Sequence, residues 1–220
     1  MKKIITKDNS ITFRNEKYDE TYHSTSGALE EAFEKFAKPC KLKDGVKILD
    51  VCFGLGYNSL AAISLADVEI IALENDSLIL EKIQYNNIFN NEKNNYNDKT
   101  IKNINLIKNY EKIKLATKNL FYKDNKVKIK IILEDARNTI KKLNEKFDVV
   151  FLDPFSPKNC PELWTEEFFR DIWKVMKKRG VLATYSCAKV VRSNLNNAGF
   201  KVKDGPCVGR KSPATLAYKK

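Results

Sequence analysis

From Val46 onward the chain alternates between two kinds of apolar pattern. Short apolar runs near 46–51, 68–74, 128–134, 148–153 and 180–185 have the length of strands. Between and after them, helix-period segments lie near 57–66, 76–90, 137–143, 165–178 and 188–198. Strand–helix alternation predicts an α/β fold with a doubly wound, mostly parallel sheet covered on both faces. The final apolar stretches, Phe200 to Lys203 and Ala214 to Tyr218, flank a Gly/Pro loop and predict an antiparallel hairpin. Ahead of the alternation, residues 4–18 alternate around Asp8-Asn9-Ser10 and read as a β-hairpin. A helix should follow from about Ser26 to Ala37, with Leu29, Ala32, Phe33 and Phe36 on one face. Residues 91–126 break the scheme. They are Asn/Lys-rich, with a weak helical period through Ile101, Ile104, Ile107 and Leu115, and read as a basic insertion into a single domain spanning 1–220, whose first 40 residues are the hairpin and helix.

Composition narrows the possibilities. A chain of 220 residues, 43% hydrophobic and 31% charged, buries one sizeable core. Its apolar runs fall far short of the roughly 20 residues that cross a bilayer, so no membrane association is expected. The first residues carry no apolar secretory segment. The five cysteines are widely spaced without a C-x-x-C pair, which fits a reduced, cytoplasmic protein. His23 is the single histidine, leaving little material for a metal site, and none is expected. The net charge of +12 is unevenly distributed: −4 over 1–92, +8 over 93–130, −3 over 131–173 and +11 over 174–220. Aromatics interleave the first basic stretch (Tyr96, Tyr110, Phe121, Tyr122), and the separation of charge points to a polyanionic partner.

The chemistry sits at strand ends. Val46 to Val51 runs through Cys52-Phe53 into Gly54-Leu55-Gly56-Tyr57-Asn58, a strand entering a Gly-x-Gly turn and a helix, where backbone approaches a ligand. Glu74 ends the next strand 20 residues after Gly54, where a carboxylate accepts the hydroxyls of a ribose. Asp135 ends a third strand, suited to an adenine amino group, and Asp153 a fourth. Carboxylates at four strand ends (Asp50, Glu74, Asp135, Asp153) mark the ligand edge of a doubly wound sheet. The missing third glycine and second nucleotide-binding half favour S-adenosyl-L-methionine over NAD, and the arrangement looks like a class I methyltransferase with a Rossmann-like sheet. Asp153-Pro154-Phe155 offers acceptors for the N–H bonds of an amine and a ring to lie against a base. It is similar to the (Asp/Asn)-Pro-Pro-aromatic motif of amino-group methyltransferases, one proline short.

The longer run Leu152-Asp153-Pro154-Phe155-Ser156-Pro157-Lys158-Asn159-Cys160-Pro161-Glu162-Leu163-Trp164 resembles the signature of the MnmC family of methyltransferases, which complete 5-methylaminomethyl-2-thiouridine at the tRNA wobble position. Asp19 to Ser24 with Gly27 to Glu31, Phe53 to Asn58, and Ala183 to Ser186 through Val191-Arg192, Ala198 to Phe200 and Gly209 to Lys211 resemble the same family, so the likeness spans nearly the whole chain and is weakest over 91–126. The resemblance implies N-methylation of 5-aminomethyl(-2-thio)uridine in the tRNA anticodon stem-loop. It places Asp153, Pro154 and Phe155 at the transfer. Tyr22, Ser24, Asp50, Phe53, Gly54, Gly56, Asn58, Glu74, Asn75, Asp135 and Ala136 would hold the cofactor, and Lys158, Lys189, Arg192, Arg210 and Lys211 the RNA. Two departures stand out. Cys52 replaces the first glycine of the cofactor loop, which is tolerable where its φ stays negative. The chain also ends after the methyltransferase region, without the flavin-dependent oxidase of fused members, so a separate wobble-uridine modification enzyme is expected to supply the aminomethyl precursor. The alternatives are an amino-group methyltransferase acting on another nucleic-acid base, an aminopropyl transferase, disfavoured by the basic C-terminal segment because it needs an acidic pocket, and a catalytically inactive RNA-binding protein.

Overall fold

In a computed structural model, residues 1–86 and 106–220 are described. The chain opens with β1 (Lys2–Ile5), β2 (Ile11–Asn15) and β3 (Glu20–Thr21), a small antiparallel sheet in that order, followed by α1 (Ala28–Glu31). The helix continues as a π-helical stretch, Ala32–Ala37, and a 3-10 turn, Lys38–Cys40. Leu29, Ala32, Phe33 and Phe36 are all buried, as their spacing predicts.

The α/β portion runs β4 (Val46–Val51), α2 (Tyr57–Leu65), β5 (Val68–Glu74), α3 (Ser77–Tyr85), α4 (Leu106–Asn119), β6 (Phe121–Lys123), β7 (Val127–Leu133), α5 (Ala136–Lys142), β8 (Phe147–Leu152), α6 (Glu166–Val175), β9 (Met176–Thr184), α7 (Lys189–Asn197), β10 (Phe200–Asp204) and β11 (Thr215–Lys219). Eight strands form one sheet in the order β10-β11-β9-β8-β4-β5-β7-β6. The five central strands are parallel, and β10, β11 and β6 are antiparallel to their neighbours. Side chains alternate across the sheet. Ile48, Val149 and Phe151 enter the layer beneath α1, α2 and α4, whereas Leu49, Val51, Val150 and Leu152 enter the layer beneath α5, α6 and α7.

Three expectations differ from the structure. The stretch 106–126 is integral to the core: α4 packs on α2 and α3, and β6 extends the sheet, pairing Phe121 with Lys130 and Lys123 with Lys128. Its buried face is Leu106, Tyr110, Ile113, Ala116 and Thr117, one position away from the period expected; Ile107 and Leu115 lie about half exposed. Tyr110 is therefore a core residue unavailable to a base, and Tyr96, Ile101 and Ile104 lie outside the described residues. Finally, α6 stops at Val175, not 178, because Met176 already pairs with Phe147 and an irregularity in that register is absorbed with Arg179 at φ 64°. Strand pairing there overrides the helical preference of Lys177-Lys178-Arg179.

Candidate active site at the carboxyl edge of the sheet

The parallel strands β4, β5, β7 and β8 deliver their carboxyl ends to one cavity of about 370 Å³, a volume suited to a nucleoside-sized ligand. Glu74, at the end of β5, reaches back to the turn after β4. One oxygen accepts the Gly54 N–H at 2.8 Å, and the other accepts the N–H groups of Asn75 and Asp76, each at 2.9 Å. Burial raises its proton affinity while these three donors oppose the rise. Gly54, with φ 55°, borders the cavity between Glu74 and His23, and a Cβ there would lie 3.5 Å from His23 Nε2. An open glycine backbone beside a buried carboxylate fits the ribose end of S-adenosyl-L-methionine.

Asp135 also borders the cavity, but it caps α5 through the Arg137 N–H and is gripped by the Arg137 guanidinium, which holds its carboxyl below the usual carboxylate range. Tyr22, Ser24, Asn75 and Ala136 line the same space. Asp50, Phe53, Gly56 and Asn58 do not. Asp50 is fully buried behind the loop, accepting from Ser59 Oγ at 2.6 Å while its Oδ1 has no partner, and burial pushes its pKa up to about 7. Gly56, at φ 77°, leaves room for packing: a Cβ there would meet Phe53 Cζ at 2.7 Å and Ile113 Cγ2 at 2.8 Å. Cys52 sits at φ 66°, contrary to the negative φ expected, so the first position of the loop takes a glycine-like conformation with a side chain present.

Asp153 follows β8, its side chain largely withdrawn from solvent. Asn58 Nδ2 donates to its Oδ2 at 2.9 Å, and His23 Nδ1 lies 3.9 Å away. Burial raises the proton affinity of Asp153 first, the charge of Glu31 second. Burial also lowers the His23 pKa to about 4, so the imidazole is neutral near pH 7. The next two carbonyls are engaged, since Tyr185 donates to Pro154 O at 3.1 Å and Trp164 Nε1 to Phe155 O at 2.8 Å. Phe155 stacks on Tyr18 at 4.7 Å between centroids and meets Tyr22 at 5.1 Å with a tilt of 59°, so its ring packs against the N-terminal segment.

That sheet roofs the cavity. Glu20 accepts from the Ser156 backbone at 2.8 Å, from Ser156 Oγ and from Asn159 Nδ2 at 2.8 Å, and Tyr57 clamps Ile11 with hydrogen bonds of 3.0 and 2.8 Å. Sequence reasoning missed Tyr18, Glu20, Glu31, Lys35 and Arg137 as cavity residues. The first four arrive from the N-terminal segment through tertiary docking; Arg137 had a local signal, two residues after the cap Asp135.

Among the candidate RNA contacts, Lys158, Lys189 and Lys211 are exposed and Arg210 borders the cavity, donating to Tyr185 O. Arg192 instead is held by Asp204 at 2.5 Å, Thr215 at 3.1 Å and Ala214 O at 3.2 Å, a strut between α7 and β11 that is not offered to a phosphate. The cavity is lined by seven carboxylates and by the cations Lys35, Arg137 and Arg210. The basic C-terminal segment therefore does not make the pocket basic, and segment charge gave no ground for setting aside a polyamine-type acceptor. No described helix is long and apolar enough to cross a membrane, and the described residues contain no cluster of three or more His, Cys, Asp or Glu suited to a metal ion.

Residues 98–220 match the model of a family described as S-adenosyl-L-methionine-dependent methyltransferase. An uncharacterised protein of Methanocaldococcus jannaschii is 38% identical over 98% of this chain, which covers 59% of that protein. The tRNA 5-methylaminomethyl-2-thiouridine biosynthesis bifunctional protein MnmC of Leptospira interrogans is 25% identical over 94% of this chain; the chain covers 34% of its length. Among solved structures, MnmC2 of Aquifex aeolicus superposes with a TM-score of 0.79 at 31% identity, covering 98% of this chain and 69% of that one.

Proposed function

Because the chain belongs to the S-adenosyl-L-methionine-dependent methyltransferases, we propose that it N-methylates the aminomethyl group of 5-aminomethyl(-2-thio)uridine at the wobble position of tRNA. The observation that carries this reading is the buried Asp153 beside Phe155, opening to the same cavity as Glu74 and Gly54, in a chain similar to MnmC and MnmC2 over nearly its full length. Residues 1–220 are read as one domain acting in the cytoplasm without a metal, on a precursor made by a separate enzyme.

Glu74, Gly54, Tyr22, Ser24, Asn75, Asp135 and Ala136 are the residues we assign to the cofactor. When bound, it would supply the electrophilic methyl group and leave as the thioether, the electron pair of the broken methyl–sulfur bond remaining on sulfur. Asp50, Phe53, Gly56 and Asn58 support that site from behind. Splayed from its loop, the wobble base reaches the cavity, which Phe155 borders beside Asp153. An alkylamine arrives mostly protonated; one N–H bond breaks with the proton passing to Asp153, and the freed nitrogen lone pair attacks in line. Burial, by raising the proton affinity of Asp153, favours that transfer. Asn58 fixes the carboxylate, and Trp164, Tyr185 and Glu20 fix its loop. Lys158, Lys189, Arg210 and Lys211 are assigned to phosphates.

The test is methyl transfer from labelled S-adenosyl-L-methionine to tRNA from cells lacking the wobble methylation, followed by nucleoside analysis. Label in 5-methylaminomethyl(-2-thio)uridine is expected. Label in another nucleoside would keep the reaction class and replace the substrate.

A further inference from the structure

Glu31 and Lys35 form a buried ion pair at 2.6 Å, and both side chains border the cavity. The second oxygen of Glu31 accepts the Ser24 N–H at 3.2 Å. Lys35 lies in the π-helical stretch that follows α1, a conformation that recurs at functional sites. A buried pair of this kind contributes little net stability, since the desolvation of both charges offsets their attraction. Its charge balance with the surroundings is uneven. Lys35 is held by Glu31, Arg137 by Asp135, Arg210 is turned to Tyr185 O, and His23 is neutral near pH 7, so the end of the cavity that carries Asp153 and Glu31 holds two carboxyl groups beside one ammonium. Among the described residues, no Lys or Arg lies within 4 Å of Asp153.

Building on the amine-methylation reading, we propose that Glu31, clamped by Lys35 and Ser24, is the second carboxylate of the acceptor site: with Asp153 it draws the aminomethyl group in as an ammonium ion and selects it against neutral substituents. Lys35 and Ser24 each hold one oxygen of Glu31, which fixes the carboxyl group and leaves each oxygen a second lone pair to offer. Asp153 then takes the proton, so the ion that binds through two carboxylates is consumed as a neutral amine beside one. The acidic cavity on a basic protein follows directly: surface charge gathers the polyanion, and the cavity selects the cation it carries.

The experiment is titration of 5-aminomethyluridine and 5-hydroxymethyluridine nucleosides into the protein loaded with S-adenosylhomocysteine, with tRNA methylation measured on the same preparations. The wild type is expected to bind the amine at least tenfold more tightly. The double variant Glu31→Gln/Lys35→Met removes both charges while Gln keeps the Ser24 hydrogen bond and Met fills the lysine stem; it should lose at least fivefold of that preference with S-adenosylhomocysteine affinity unchanged within twofold. An unchanged preference overturns the proposal. If the double variant does not fold, Glu31→Asp, which keeps the charge but withdraws it by one methylene, should lose at least threefold, and no loss again overturns it. A wild type without ammonium preference, whether it binds both nucleosides or neither, overturns the amine site outright. A wild type that prefers the ammonium and loses the preference in the variant, yet labels no tRNA, overturns the tRNA reading and supports the amine site.

Discussion

Asp50, Cys52 and Asp153 are consecutive features of one sheet edge, yet each is under a different physical constraint. Asp50 has a folded pKa of about 7, above its unfolded value near 4, so the folded state keeps a proton that the unfolded state releases between those limits. Its contribution to stability is complete below about pH 4 and is lost as pH rises to 7. His23 acts oppositely, its folded pKa of about 4 lying below the unfolded value near 6.5. Asp50→Asn removes only the first effect. Urea unfolding of the cofactor-free protein should show the variant gaining on the wild type as pH rises from 4 to 7, by about 4 kcal/mol at most; a constant difference would contradict the assignment. Cys52 at φ 66° predicts a contrast between two substitutions. Cys52→Gly should melt no lower than the wild type, whereas the β-branched Cys52→Val should lose about 2 kcal/mol, several degrees in Tm. For Asp153→Asn, kcat should fall by roughly 100-fold or more with S-adenosyl-L-methionine affinity held within a few-fold. An equal fall in cofactor affinity would move Asp153 into the cofactor site.

At the scale of elements, the Gly-x-Gly loop serves two different partners. Gly54 presents backbone to the cavity, while Gly56 makes room for Phe53 and for Ile113 of α4. Gly56→Ala combines overlap with a left-handed backbone and should cost about 2–4 kcal/mol. Ile113→Ala in that background should recover part of the loss, because the two side chains share one space; strict additivity in chemical unfolding would show that they do not. The strands of the α/β portion were legible in the sequence to within a residue or so, apart from the start of β9 and from β6, which lay in the stretch read as an insertion, because apolar runs of that length bounded by polar turns have few other solutions. The face of α4 was not legible. Its Ile107 and Leu115 are about half exposed, and the period through them was set by side-chain type, whereas burial is set by the orientation that lets Tyr110 and Ile113 meet α2.

For the whole molecule, an acidic cavity opens on a chain of net charge +12. If exposed lysines and Arg210 form the tRNA footprint, affinity should fall by an order of magnitude or more between about 50 and 200 mM salt. Binding indifferent to salt would remove that footprint. Binding of a small cationic nucleoside to the cavity should follow the carboxylates instead and be little affected by substituting surface lysines.

The sequence by itself determined the fold class, the order of strands and helices outside 91–126, the carboxylates at the strand ends and the family resemblance, since periodicity, turn chemistry and motif spacing are local properties of the chain. Only the tertiary structure decided which of those residues meet the cavity. It withdrew Asp50, Asn58 and Gly56 behind the loop, turned Arg192 into a strut, and brought Glu20, Glu31 and Lys35 across from the N-terminal segment. Those placements depend on contacts between residues far apart in sequence, such as Tyr57 with Ile11 and Glu20 with Ser156, which leave no period or spacing to read.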